Sequence, residues 1–510
     1  MPSSTSTNVR ADTPPLYSEA KGPEGRLNIS TSSEDTHGYI YVDWDGPQDP
    51  ANPRNWSSSR KWFISSFGFI FLTLVGVANA GYAISQPSLE KGEWLTLCTA
   101  LGISSLLGTL GVAMFIVPFG IAPLVLAPCS ELFGRLPVYI ASAVIFWLMF
   151  LPQALAKNVE TVLITRVISG VGASTSVSLV GGMLADMWDA HERGFPMAMF
   201  SSIAFAGTGL GPVTLGYVEL KLGYVFINWI LFAVSGVCTL GLIIASRETR
   251  ASVLLIRKAK LLRMETGNDA FRAKAEEERA SVAKMLKTSL LRPLRMLFTE
   301  PVLFLFAVSS LYAVYLMLEA IPLVFIQLYH FNAGEYGLVY LGQIIGPIIG
   351  MVANVWCDRA YKRNVAIKGP EARLYIAMWS GIALPIGCWV YTWTSFSSIH
   401  WIVPSLATCI IYAAVSALAC FNYATDSYTA YASSALGGIS AVRLIIGAVF
   451  SLLAQPMYDS LGIQFAGTIL AALSTVFAIT PFLLYRYGFA IRSRSKFAKE
   501  LAILEAVNSR

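Results

Sequence analysis

Three ionisable side chains interrupt stretches of the chain that are otherwise apolar for about twenty residues: Arg166, Glu319 and Arg443. A charge at the centre of a membrane helix costs at least ~2.5 kcal/mol unless it faces protein or water, so such residues mark ion or solute pathways. The chemistry open to one carboxylate and two guanidiniums is proton binding, proton release and charge pairing, with no covalent change in a solute. Glu319 is the one carboxylate placed well inside an apolar stretch. Desolvation favours its neutral form, which suits a proton carrier; a permanent ion pair or a site nearer the outer surface are the alternatives. Arg443, ten residues into its stretch, fits a partner for an anionic solute group, for Glu319 or for Asp426, and equally a structural role. Asn79 falls 17 residues after Trp62, as Glu319 falls 17 after Val302.

Two further clusters follow an acid-x-x-x-base pattern, Glu131/Arg135 and Asp358/Lys362, and Gly134 lies inside the first. Pro123 precedes Glu131 by eight residues and Arg135 by twelve; Gly350 precedes Asp358 and Lys362 by the same intervals. Four-residue spacing on a helix brings such charges to one face, as a fixed staple between helix ends or as a gate that breaks on switching. Asp426 suits either a gate pair or a plain helix cap.

The elements that hold these residues are set by composition. Of 510 residues 55% are hydrophobic and 13% charged, against roughly 25% charged in a globular domain. Segments of about 20 apolar residues suffice to span a bilayer, and they are expected at 62–84, 104–128, 137–155, 160–184, 196–218 and 226–245, then at 302–326, 336–357, 374–393, 400–421, 433–455 and 463–485. This is an all-α membrane protein of twelve transmembrane helices, in two six-helix bundles (61–245 and 299–486) related by pseudo-symmetry, as in duplicated secondary transporters. Residues 1–60 are polar and rich in Ser, Thr and Pro, which reads as a disordered cytosolic tail. Residues 246–298 form a partly helical cytosolic linker, and 487–510 a cytosolic tail. With both termini inside, only Lys91, Lys157 and Lys221 of the 37 Lys/Arg face out and two lie within spans, as the positive-inside rule requires.

The seven cysteines form no disulfide framework or metal spacing, and there is no Gly-rich phosphate loop. No metal, cofactor or nucleic-acid partner is expected, and no catalytic cluster of an enzyme is present.

Ala127-Pro-Cys-Ser-Glu-Leu-Phe-Gly-Arg-Leu-Pro-Val-Tyr139 resembles the loop between spans two and three of the major facilitator superfamily, in its fungal drug:proton antiporter branch with twelve spans. Leu136 stands where that loop carries a second basic residue. The run Asp49 to Trp56 with Lys61-Trp62, the segments Arg292 to Pro301 and Glu319 to Pro322, and Tyr423 to Leu436 are similar to further landmarks of the branch. Gly207, Gly211, Pro212 and Gly216 in span five resemble its antiporter motif, with Leu215 in place of one glycine. Glycines at 207 and 211 clear one helix face for a close neighbour and Pro212 weakens the helix. Arg166-Val-Ile-Ser-Gly-Val-Gly172 resembles the span-four motif whose arginine is associated with proton transfer; a structural donor to neighbouring carbonyls is the alternative role.

The resemblance implies a major facilitator fold and a proton-coupled exporter of a small organic molecule, a drug, organic acid or secondary metabolite, working by alternating access. A facilitator or importer on the same fold is the alternative. The partners implied are a small-molecule substrate, protons and the lipid bilayer, with the chain acting as a monomer. The expected location is the plasma membrane, a vacuolar or vesicular membrane being the other choice.

Overall fold

A computed structural model describes residues 31–34, 39–85, 105–189, 192–277, 320–417 and 432–494, with residues 290–293, 295, 296 and 299 between them. The first bundle opens with α1 (Ser58–Ile84), followed by α2 (Ser105–Ile121) and α3 (Pro123–Phe133), which meet at a bend of 42°. Pro123 occupies the first turn of α3, where its missing N–H costs nothing. Next come α4 (Arg135–Leu148) with the short α5 (Phe150–Ala154), then α6 (Val159–Ala173) with α7 (Thr175–Met187).

Helix α8 (Gly194–Ala245) has 52 residues, close to 78 Å of helix at ~1.5 Å per residue and more than twice the hydrocarbon thickness. It therefore contains two crossings. The break is at Gly223, whose φ of 77° and ψ of 178° lie outside any helix and are open to glycine alone at little cost.

After α9 (Ala251–Thr266) and α10 (Lys274–Glu277), the second bundle contains α11 (Ala320–Tyr329), α12 (Ala333–Val339), α13 (Leu341–Lys368), α14 (Leu374–Thr394), α15 (Ile402–Ala417), α16 (Ala432–Leu461) and α17 (Ile463–Arg494). Eight described helical stretches, or nine with the bent pair as one span, are long and apolar enough to cross a membrane. With α8 counted twice and α15 at the tenth place, the described helices occupy eleven of the twelve expected positions, and α11 covers the end of the seventh. Most of the seventh span lies outside the described residues.

Each bundle has its own core, and each core takes residues from the other half. Leu444 and Ala448 of α16 join the first, built around Phe71, Phe115, Tyr139 and Phe146. Ile84, the last residue of α1, joins the second, built around Tyr336, Tyr391 and Tyr412. The halves meet along α2 against α16 and along α8 against α12 and α13.

One expectation fails at the N-terminus. Residues 39–57 are ordered, not part of a disordered tail running to residue 60. Strand β2 (Ile40–Val42) pairs antiparallel with β1 (Thr31–Glu34) and parallel with β3 (Phe271–Arg272) of the linker. Val42, Ile256, Ala259, Leu262, Phe271 and Ala273 form a small core of their own beneath this sheet. Lys258 of α9 bonds the Asp43 carbonyl at 2.9 Å and pairs with Asp45 at 2.7 Å. Strands of two to four residues in polar segments carry too little periodicity to be read from sequence.

Candidate functional site

Arg166 is held within the first bundle at the end far from the linker. Asn79 lies 21 residues into α1, about 30 Å from its start. Its Oδ1 accepts from the Arg166 guanidinium at 3.1 Å, and Arg166 Nε donates to the Gly111 carbonyl at 3.1 Å. The guanidinium also lies over two rings, Tyr82 at 4.2 Å and Phe115 at 4.7 Å. Its residual exposure is 2%, so the charge is stabilised by oriented neutral dipoles and π-faces, with no ion pair among the described residues. Small residues shape the chamber. A Cβ on Gly111 would strike the Tyr82 hydroxyl and one on Gly170 would strike the Phe115 carbonyl, so both positions admit the close helix approach that surrounds the arginine. The equivalence of Asn79 with Glu319 between the two halves falls partly outside the described residues, since Glu319 is not among them; what Asn79 meets is Arg166.

The glycines of span five work on two faces. Cβ atoms on Gly207 and Gly211 would lie 3.0 Å from Thr73 Cα and 2.9 Å from the Val77 carbonyl oxygen, so this face packs on α1. Gly209 and Gly216 point to the other half: their Cβ atoms would lie 3.0 Å from the Tyr340 carbonyl oxygen and 2.6 Å from that of Ala333. Pro212 is buried between, its own carbonyl oxygen against Gly337. The segment is thus wedged between α1 and the second bundle.

One turn beyond Gly216 stands a buried acid that sequence reading passed over. Glu219 is 3% exposed, and its Oε2 accepts from the Ser85 hydroxyl at 2.9 Å. The apolar run of span five is expected to end at 218, one residue short, whereas the helix continues to the break at Gly223. A single glutamate at the edge of an apolar run gives no signal that it is buried.

At the linker end the charges pair differently from the expectation. Glu131 and Arg135 do not share a helical face, because α3 stops at Phe133 and Gly134 (φ 104°, ψ 151°) separates it from α4. Arg135 instead pairs closely with Asp186 of α7, both largely buried. Arg250, from the linker, reaches Asp186 at 3.5 Å and Glu131 at 3.9 Å. Glu248, 5% exposed, accepts from the backbone N–H groups of Arg135 at 3.1 Å and Leu136 at 3.2 Å, placing a carboxylate on the positive end of α4. A side chain at 134 would meet that carboxylate. In the second bundle α13 continues unbroken to Lys368, so Asp358 and Lys362 do pair across one turn at 3.2 Å, and Arg373 pairs with Asp358 at 2.9 Å. Asp186, Glu248, Arg250 and Arg373 come from distant segments and carry no local pattern. Asp426 lies outside the described residues. Arg443 is half-buried on α16, next to Leu444, which packs on Gly120 of α2.

The arrangement contains a buried cation, a buried acid, two glycine-packed seams and charge clusters at one end. Its helices are long and apolar enough to cross a membrane. The profile of the Major Facilitator Superfamily matches residues 62–452. The chain is 33% identical to the MFS-type transporter oryN of Aspergillus oryzae over 465 residues, 90% of each chain. It is 32% identical to the efflux pump FUB11 of Gibberella moniliformis over 91% of this chain and 79% of that one. To the Major facilitator superfamily multidrug transporter mdrA of Aspergillus fumigatus it is 33% identical, over 92% and 77%. Among solved structures it is similar to the partially occluded inward-open xylose transporter XylE from E. coli, with a TM-score of 0.59 at 16% identity over 84% of this chain and 98% of that one. The human organic anion transporter MFSD10 (TETRAN) gives 0.54 at 18%, over 82% and 99%. Two bundles of six helices, their glycine-packed seams and a match across most of the chain lead to one assignment: the chain belongs to the Major Facilitator Superfamily, whose members are transporters and not enzymes.

Proposed function

We propose that the chain is a proton-coupled exporter of a small organic molecule, working by alternating access between its two bundles. The observation that carries this reading is Arg166, a buried cation held by neutral groups beside the helix that contacts both its own bundle and the opposite one. A charge so placed responds strongly to any proton or anionic group arriving nearby, because a low-dielectric site magnifies electrostatic energies. Export as the direction is supported by relatives named efflux pumps and a multidrug transporter. Glu319 remains the proposed main proton carrier, with Arg443 and Asp426 as charge partners. The clusters around Asp186 and Asp358 act as gates at the linker end, which the Lys/Arg distribution supports as the cytosolic end.

The buried Arg166 and the half-buried Arg443 favour neutral, amphipathic or anionic solutes over polycations. The test is an untargeted comparison of secreted metabolites with and without the chain, followed by efflux of the responding compound from vesicles under an imposed pH gradient. Export that follows the gradient and collapses with it is the expected result. Flux that only equilibrates the compound, whatever the gradient, would leave a facilitator.

A further inference from the structure

Ser85 and Glu219 form a pair whose geometry accommodates a proton in either place. The Ser85 hydroxyl has two acceptors within reach, the Gly81 carbonyl at 3.1 Å and Glu219 Oε2 at 2.9 Å, and it has one hydrogen to give and lone pairs to accept with. When Glu219 is ionised, Ser85 donates to it. When Glu219 is protonated, its own O–H donates to Ser85, whose hydrogen turns back to Gly81. Both side chains are nearly fully buried, at 2% and 3% exposure, so each protonation state keeps a hydrogen bond that burial would otherwise make costly to lose.

The surroundings connect this pair to Arg166 and to the seam between bundles. Asn79 and Tyr82 of α1 and its C-cap Ser85 stand at three-residue steps, the first two on Arg166 and the third on Glu219. Tyr224, just past the Gly223 break, meets the Tyr82 ring at 5.9 Å. From the opposite bundle, Tyr336 of α12 donates to the Ile84 carbonyl at 2.8 Å, and Ala333 packs on Gly216 one turn before Glu219. Glu335 of α12 is exposed and bonds the Asn332 N–H at 2.9 Å, and Lys221 is exposed.

We propose that Glu219 is a second proton-binding site, on the first bundle, closed off by the contact of α8 with α12 and opened when that seam parts. The proposal deepens the proton-coupled reading above and rests on it for its role in transport. A proton on Glu219 makes this end of the first bundle, which also holds Arg166, more positive by one charge, and so more attractive to an anionic group.

The test is pH-difference infrared spectroscopy of the purified full-length chain in lipid nanodiscs, scanned from about pH 4 to about pH 9, following the carbonyl stretch of neutral carboxylic acids with protons as the only probe. Glu219→Gln is expected to remove one titrating component that Glu319→Gln leaves in place. Ser85→Ala removes a donor that holds the ionised form more strongly than the neutral one, so the midpoint of that component should rise by ~0.5–1 pH unit. A spectrum unchanged by Glu219→Gln, or, where that variant fails to fold, a midpoint unmoved by Ser85→Ala, overturns the proposal. Coupling is read separately: wild-type efflux that ignores an imposed pH gradient removes the coupled reading and leaves the titration result as it stands.

Discussion

Replacing Asp186 by asparagine should disturb the protein far more than the corresponding change at Glu131, although both acids belong to one cluster. Asp186 is 15% exposed at its side chain, pairs with Arg135 at 9%, and also holds Arg250 at 3.5 Å. Removing one partner of a buried pair costs about 3–5 kcal/mol, because a desolvated charge is left behind. Arg250 keeps Glu131 and is 30% exposed, so part of that cost is screened and ~2–3 kcal/mol is the working figure. Glu131, 47% exposed and 3.9 Å from Arg250, should lose no more than ~0.5 kcal/mol as glutamine. If the cluster exists in only one conformation, the ~2–3 kcal/mol appears as a shift of roughly 30- to 150-fold between conformations. If it exists in both, the same energy appears as lost stability. The assay follows two readouts on matched samples: thermal unfolding in detergent, and the labelling rate of a single cysteine introduced at the linker end. A gate predicts that Asp186→Asn changes labelling with little loss of melting temperature, while Glu131→Gln changes neither. Equal melting losses for the two variants, or a large melting loss with unchanged labelling for Asp186→Asn, would falsify the gating role.

Three further outcomes are expected. Gly216→Ala puts a methyl 2.6 Å from the Ala333 carbonyl oxygen, which should force the α8 seam apart and raise accessibility at the far end, read as faster labelling of a cysteine at residue 336; slower labelling would contradict the packing. Arg166→Lys keeps the charge but cannot reach Gly111 and Asn79 with one planar fork, so efflux should fall at least ~10-fold while folded protein is retained; wild-type efflux would show that charge alone suffices. A protease site near residue 265 should be cut only from the cytosol and one near residue 160 only from outside, and reversed cleavage at either would invert the orientation.

The positions of the membrane helices were legible because a span of about 20 apolar residues is a coarse and redundant signal. The long helix from Gly194 to Ala245 kept its two crossings in the sequence even though its backbone is interrupted only at Gly223. Glycines 207 and 211 were legible for a similar reason, since absent side chains on one helical face mean close packing whatever the partner. Charge partners were not. The four-residue interval between Glu131 and Arg135 presupposes a continuous helix, and a single positive-φ glycine removes that premise. Asp186 and Glu248 lie 51 and 113 residues from Arg135, and only folding brings them to it. Glu219 was hidden by a boundary placed one residue early, where hydropathy changes gradually and burial does not.

The pairing of β2 with β3 sets an order on how the chain is made. Ile40 finds Phe271 across more than 200 residues of sequence, and all six crossings of the first bundle lie between them. At ~5–20 residues per second, the ribosome needs on the order of 10–50 seconds after releasing β2 to deliver its second partner. During that interval the strand has one edge unfilled in the aqueous phase, beside a bundle that is still being inserted. Closure of the small sheet can therefore come only once the whole first bundle has been synthesised, and its last strand is made before any crossing of the second. Completion of the first half in the chain thus coincides with the arrival of the strand that ties the N-terminal segment to the linker.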